Sequence, residues 1–138
     1  MKLVPISEVT TAPAILYRLL GERTQEQAIS HKEMPSYGDH LTFVRGSTYL
    51  AWYLIQAEDE AYVGSIYLTR RREIGVSIFR DYQRSGYGAE AARELMRLHP
   101  GSFLANINPE NLRSMAFFKE LGFRPLQVTY RFYEEGIP

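Results

Sequence analysis

Apolar residues recur along this chain with two different periods, and the changes of period divide it into elements. Residues 3–6 read as a short first strand. Over residues 13–20, Ala14, Ile15, Leu16, Leu19 and Leu20 precede Gly21, which predicts a helix with Pro13 in its first turn and glycine beyond its end. Residues 22–32 are expected to form a second short helix. The stretch "EMPSYGDH" (33–40) reads as a loop, because Pro, Ser, Gly and Asp cluster there. Three runs rich in β-formers follow, at residues 48–57, 61–69 and 73–79, separated by the polar turns "EDE" (58–60) and "RRR" (70–72). They form an antiparallel meander.

The helical period then returns. Tyr87, Ala91, Leu95 and Leu98 share one face, flanked by Ala92 and Met96, and Pro100-Gly101 ends the run. Residues 103–107 read as a strand. Asn108 is a candidate N-cap, with Pro109 at the first helical position of a helix whose inner face carries Leu112, Met115, Ala116 and Leu121 and which stops at Gly122. Residues 127–133 read as a last strand. The strand–helix–strand passage over residues 73–107 is too long for a hairpin, so it implies a parallel crossover. The predicted fold is a single α/β (α+β) domain over residues 1–138. Its sheet is mixed but mostly antiparallel, flanked by helices, with a central parallel strand pair.

Composition narrows the possible chemistry. The 16 Lys+Arg balance the 16 Asp+Glu, which argues against a general nucleic-acid coat or a polybasic membrane binder. With no cysteine, disulfides, thiolate metal sites and a cysteine nucleophile are impossible. The three histidines, His31, His40 and His99, have no metal-ligand spacing, so no metal is expected. The first residues lack the apolar core of a signal peptide, and no apolar run is long enough to span a membrane. A cytoplasmic protein is expected.

The stretch "QRSGYG" (83–88) lies where the third meander strand hands over to a helix. Backbone N–H groups at a helix N-terminus point one way and carry partial positive charge, glycine permits close approach, and Arg84 and Ser85 add a cation and a hydroxyl. Such a loop suits a pyrophosphate, although a plain helix-starting turn would use the same glycines. The segment "NPENLRSMAFFKELGF" (108–123) follows one strand and one helix later.

Together these two segments resemble the GNAT superfamily of acyl-CoA-dependent N-acyltransferases. The family's loop reads Q/R-x-x-G-x-G/A, matched by Gln83, Gly86 and Gly88. Asn111, Ser114, Phe117, Phe118, Gly122 and Phe123 match its later segment. "EIGVSI" (73–78) looks like the strand before the loop in ribosomal-protein and spermidine acetyltransferases, and the whole is also similar to amino-sugar enzymes. The likeness covers about residues 48–133.

The resemblance implies transfer of an acetyl group from acetyl-CoA to a primary amine of a small molecule or amino sugar. Two alternatives stay open: acetylation of protein N-termini or ribosomal protein, and a degenerate acyl-CoA-binding module without catalysis. It also implies that the pantetheine pairs with the backbone of Ser77, Ile78 and Phe79. The pyrophosphate would meet Gln83, Arg84, Ser85, Gly86, Tyr87 and Gly88, and Asn111, Ser114 and Phe118 would face the cofactor; helix capping is the alternative for Asn111 and Ser114. Glu73 is the candidate general base, acting through water; an ion pair with the Arg70–Arg72 turn is its alternative. Many relatives carry a tyrosine at the position of Phe118 to protonate the leaving thiolate. Here Tyr130, Tyr133 or water would do so, or the thiolate would leave unassisted. His31, Tyr37 and Trp52, with His40, are candidate acceptor-site residues. The expected partner is a small amine, with neither nucleic acid nor membrane, and a homodimer is left open.

Overall fold

The three central runs become a sheet because successive side chains point to opposite faces and both faces are covered by helices. A computed structural model of the chain describes residues 1–26 and 34–134. Strands β1 (Lys2–Pro5), β2 (Ala51–Gln56), β3 (Tyr62–Leu68) and β4 (Ile74–Ile78) lie in that order in one antiparallel sheet. Ile55, Ile66, Leu68 and Ile74 pack with Ala91, Ala92 and Leu95 of helix α3 (Tyr87–Leu98). Leu54 packs instead with Ala12, Leu16 and Val44, from helices α1 (Ala12–Glu26) and α2 (Tyr37–Arg45). Helix α4 (Leu112–Glu120) adds Phe118 to the first core. Leu95 is fully buried. Leu95→Ala is expected to cost about 2–5 kcal/mol, read as a lower urea midpoint with an unchanged slope.

The meander, its two turns and α3 match the sequence-based expectation, and the α/β, mostly antiparallel class holds. Several elements differ. Helix α1 does not stop at Gly21 but runs on to Glu26. A glycine inside a helix costs only about 1 kcal/mol, which the rest of the helix absorbs. Residues 22–26 of the expected second helix therefore continue α1, and the rest of it lies outside the described residues.

Of the expected loop at 33–40, residues 34–36 are irregular as expected, residues 37–40 instead start α2, and residue 33 lies outside the described residues. The Ser36 Oγ accepts from the Asp39 amide at 3.1 Å, an N-cap that stops Tyr37 and Gly38 from staying irregular.

The predicted strand 103–107 is reduced to one parallel bridge, Glu73 to Leu104. The Ile74 amide donates to the Leu104 carbonyl and the Leu104 amide to that of Arg72, both at 2.8 Å. Beyond Leu104 the chain parts from β4, so the central parallel pair becomes a single contact at the sheet edge. Asn111, not Asn108, caps α4: its Oδ1 accepts from the Ser114 amide at 3.1 Å. Asn108 is spent on a turn of its own, accepting from the Glu110 amide at 2.9 Å.

The inner face of α4 is also rotated from the one expected. Leu112, Met115 and Ala116 are exposed, because the larger rings of Phe117 and Phe118 turn toward the core. The expected strand 127–133 is not formed: Val128, Tyr130 and Phe132 are exposed, and with 103–107 peeled away the described residues offer it no ladder.

Candidate active site

The parting of residues 104–108 from β4 opens a wedge, and the wedge is the mouth of a cavity of about 510 Å³. One wall is β4 from Ile74 to Ile78; the other holds Asn106, Ile107 and Asn108. The α1 residues Leu19, Glu22 and Arg23 line it from a third side, and the 83–88 loop with α4 closes the far end.

The edge of β4 presents open backbone groups. The Thr69 amide donates to the Glu73 carbonyl and the Phe79 amide to that of Val63, both at 2.9 Å. Hydrogen-bonding direction alternates along a strand, so residues 73, 75, 77 and 79 bond to β3 and residues 74, 76 and 78 face the wedge. The Ile74 N–H is taken by the Leu104 carbonyl, and the Ile78 carbonyl accepts from Gln83 Nε2 at 3.0 Å. The Val76 N–H and C=O and the Ile78 N–H remain directed at the opening. Of the three residues expected to offer backbone here, Ser77 and Phe79 are corrected by this parity, and Val76 takes their place. Phe79 is moreover buried beneath the Arg18 guanidinium and is absent from the cavity wall.

The 83–88 loop is stapled at its start. Gln83 donates to Ile78 and accepts from Arg113 Nη2 of α4 at 3.1 Å. Arg84 and Gly86 both have positive φ, 65° and 83°, so the chain curls around Ser85. Gly86 is the N-cap of α3 and brings no side-chain cap. The amides of Tyr87, Gly88 and Ala89 have no carbonyl one turn earlier in the helix, so they point outward at its positive end. A concave set of such amides is an anion socket. Nothing lies within 4 Å of a Cβ built on Gly86, whereas one on Gly88 would meet the Phe117 ring at 3.3 Å. Gly86 thus keeps the socket open, and Gly88 lets α3 approach α4.

Glu73 stands where the wedge closes. The Thr69 hydroxyl donates to its Oε1 at 3.0 Å, and Asn106 Nδ2 donates to its Oε2. The alternative ion pair with the arginine turn gives way to other bonds. Arg72 donates to the Ser102 and His99 carbonyls at 2.7 and 2.5 Å and lies over the Phe103 ring.

Beside Glu73 is an aromatic wall. A Cβ on Gly75 would fall about 2.0 Å from the Tyr67 ring, so that ring lies directly across the strand from Gly75. Tyr49 stacks on Tyr67 with centroids 4.4 Å apart and planes 10° from parallel. Burial, then the charge and hydrogen bond of Tyr67, push the Tyr49 phenol up to about 12; Arg23 lowers it and Glu73 raises it. The folded state therefore holds this proton more tightly than the unfolded chain does. The stabilisation is complete below pH 10 and is lost as pH rises from 10 through 12. Alkaline unfolding curves of wild type and Tyr49→Phe are expected to converge across that window; parallel curves would contradict the shift.

The cavity brings together Glu73, Ser77, Ile78, Gln83, Arg84, Gly86, Tyr87, Gly88, Asn111, Ser114 and Phe118. Asn111 is also the α4 cap, and Phe118 is mostly core, edge-on to Phe117 and Phe123. Ser85 is not on the wall; its hydroxyl turns back toward the Gln83 carbonyl. Tyr37 packs against Tyr17 and His40 away from the cavity, and His40 is buried with Nε2 on the Pro13 carbonyl at 2.9 Å. Trp52 lies behind Tyr67 among Phe43 and Tyr49 and lines a separate, smaller cavity. His31 lies outside the described residues. Tyr130 is almost fully exposed and Tyr133 pairs with Arg131, so neither reaches the cavity. The sequence reading omitted Tyr67, Thr69, Tyr82, Asn106, Arg113 and Arg23, all of which line it.

A family model described as an acetyltransferase (GNAT) domain matches residues 3–124. Among curated proteins no sequence matches this chain. Solved structures share the fold at low identity. One is a possible acetyltransferase from Clostridium difficile, 11% identical with a TM-score of 0.70, covering 96% of this chain and 95% of that one. Another is a GNAT superfamily phosphinothricin acetyltransferase from Sinorhizobium meliloti in complex with AcCoA, 20% identical with a TM-score of 0.67, covering 89% of this chain and 74% of that one. A third is a domain from Methanocaldococcus jannaschii, 18% identical with a TM-score of 0.66, covering 91% and 88%. By the family match across residues 3–124, with an anion socket and an open strand edge in one cavity, the chain belongs to the GNAT acetyltransferases, whose acyl donor is acetyl-CoA.

Proposed function

We propose that the protein transfers an acetyl group from acetyl-CoA to the primary amine of a small molecule, an amino sugar being one such acceptor. The observation that carries this reading is the position of Glu73, held by Thr69 and Asn106 in the same cavity as the α3 socket. Donor and acceptor would meet between them.

The residues fit the donor. The socket of Arg84 to Gly88, with Arg84 and Arg113 beside it, suits a pyrophosphate. The Val76 and Ile78 backbone suits the amides of the pantetheine arm. Acetyl-CoA supplies an activated thioester. Glu73, through water, takes a proton from the acceptor ammonium or from the amine as it attacks. The new bond is C–N, the broken bond is C–S, and the electron pair leaves on sulfur. Phe118 has no proton to give, so the thiolate collects one from water or from a hydroxyl on the wall, where Tyr67, Tyr82 and Tyr87 stand. A thiolate is also a tolerable unassisted leaving group, because thiols are weak acids far stronger than alcohols.

No helix among the described residues is long and apolar enough to cross a membrane, and the reading includes a cytoplasmic location. The test is thiol release from acetyl-CoA across a panel of amino acids, amino sugars, polyamines and short peptides. Release dependent on a small amine supports the reading. Release only with peptides would replace it with protein acetylation, and binding without any release would leave an acyl-CoA-binding module.

A further inference from the structure

The arginines on the cavity wall fall into two groups, and one of them is not part of the socket. Arg84 and Arg113 belong to the socket: one lies in the loop and the other bonds to Gln83. Arg23, on the last turn of α1, lines the cavity from the side of the sheet that carries Tyr67 and Gly75. Its field and that of Glu73 both reach the Tyr49 hydroxyl, behind the Tyr67 ring. The carboxylates on this part of the wall bond to groups other than Arg23: Glu22 accepts from the Arg80 amide at 2.7 Å, and Glu73 from Thr69 and Asn106.

Resting on the acetyl-transfer reading, we propose that the acceptor is a zwitterion, an amino-acid-like amine whose carboxylate is held by Arg23 while its ammonium lies between Glu73 and the Tyr67 ring. Arg23 is then the specificity-determining residue. A planar guanidinium suits a carboxylate in two-point contact. An ammonium beside a carboxylate gains a charge-assisted hydrogen bond. A neutral amide in place of the carboxylate leaves the guanidinium unpaired, and a polyamine sets a second cation against it.

The experiment compares L-amino acids with their carboxamides as acceptors, reading kcat/KM from thiol release by wild type, Arg23→Met and Arg23→Lys. Wild type is expected to prefer the acid by at least about tenfold for any side chain it accepts, roughly the worth of one charge-assisted contact. Arg23→Met should bring the acid-to-amide ratio close to one. Arg23→Lys should keep part of the preference, and the KM for acetyl-CoA should not follow the ratio. The change of ratio between variants cancels the differing basicity of the two amines. An acid-to-amide ratio that Arg23→Met leaves untouched would overturn the proposal; so would equal loss on both acceptors with lower stability, which would assign Arg23 only to the end of α1. Transfer to amides or polyamines without preference for acids would overturn this inference alone. Acetyl-CoA binding with no transfer to any amine would overturn the acetyl-transfer reading with it.

Discussion

Gly86→Asp is expected to lower the affinity for acetyl-CoA by about 100-fold while leaving the fold in place. Gly86 has φ of 83°, and a Cβ there would meet open space. Aspartate tolerates the left-handed region better than other substituted residues, so the backbone cost is about 1 kcal/mol. Its carboxylate would stand in the mouth of the socket, among the amides of Tyr87, Gly88 and Ala89. Two unit charges about 5 Å apart at an effective dielectric near 20 repel by about 3 kcal/mol, hence the expected loss. Gly86→Asn is the matched control, with the same shape and backbone demand but no charge. Calorimetric titration should find the Asn variant much closer to wild type than the Asp variant. Equal constants for the two would mean that no anion sits at the α3 N-terminus.

Glu73→Gln should reduce kcat by about 10²–10⁴-fold, the usual worth of a positioned general base, with acetyl-CoA affinity nearly unchanged. The substitution preserves size, and its bonds can be kept. The glutamine oxygen would accept from Asn106 Nδ2, and its NH₂ would face the Thr69 hydroxyl, which already accepts from the residue 73 amide at 3.0 Å. A loss of kcat separated from donor binding is therefore a loss of proton transfer. Turnover equal to wild type with the best acceptor would remove Glu73 from the chemistry and leave it only as a support for residues 104–108.

The parts of this protein legible in its sequence are those whose pattern is satisfied locally. The three meander strands are dense in β-formers, and their turns are too short to allow another pairing. The α3 face repeats at Tyr87, Ala91 and Leu95 after a loop whose left-handed glycine cannot be mistaken for helix interior. Residues 103–107 and 127–133 also read as short apolar runs, but a strand exists only with a partner, and that partner is set by tertiary geometry. The two candidate caps, Asn108 and Asn111, are the same residue type in similar surroundings; the packing of Phe118 decides which begins the helix.

Glu73 and most of the 83–88 loop, singled out from the sequence, line one cavity because both lie beside β4, one at its start and the other just past its end. Tyr67 was not legible, because its place over Gly75 depends on the β3–β4 register. A glycine opposite a tyrosine in a meander was the available signal. Asn106 needed the parting of two chains that sequence periodicity joined. Trp52 looked like a pocket residue because it is large and aromatic, yet its partner across the strands, Tyr67, stands between it and the main cavity wall.

The most direct test of the central claim, that this cavity holds acetyl-CoA, is thermal unfolding with and without acetyl-CoA, beside free adenosine. At about a hundred times its dissociation constant, a ligand bound only by the folded state adds about 2.7 kcal/mol, a rise of several degrees in Tm for a domain of this size. A rise with acetyl-CoA and none with adenosine is the predicted result. An unchanged Tm with saturating acetyl-CoA would reduce the 83–88 loop to a turn that starts a helix, and would contradict the enzyme built on it.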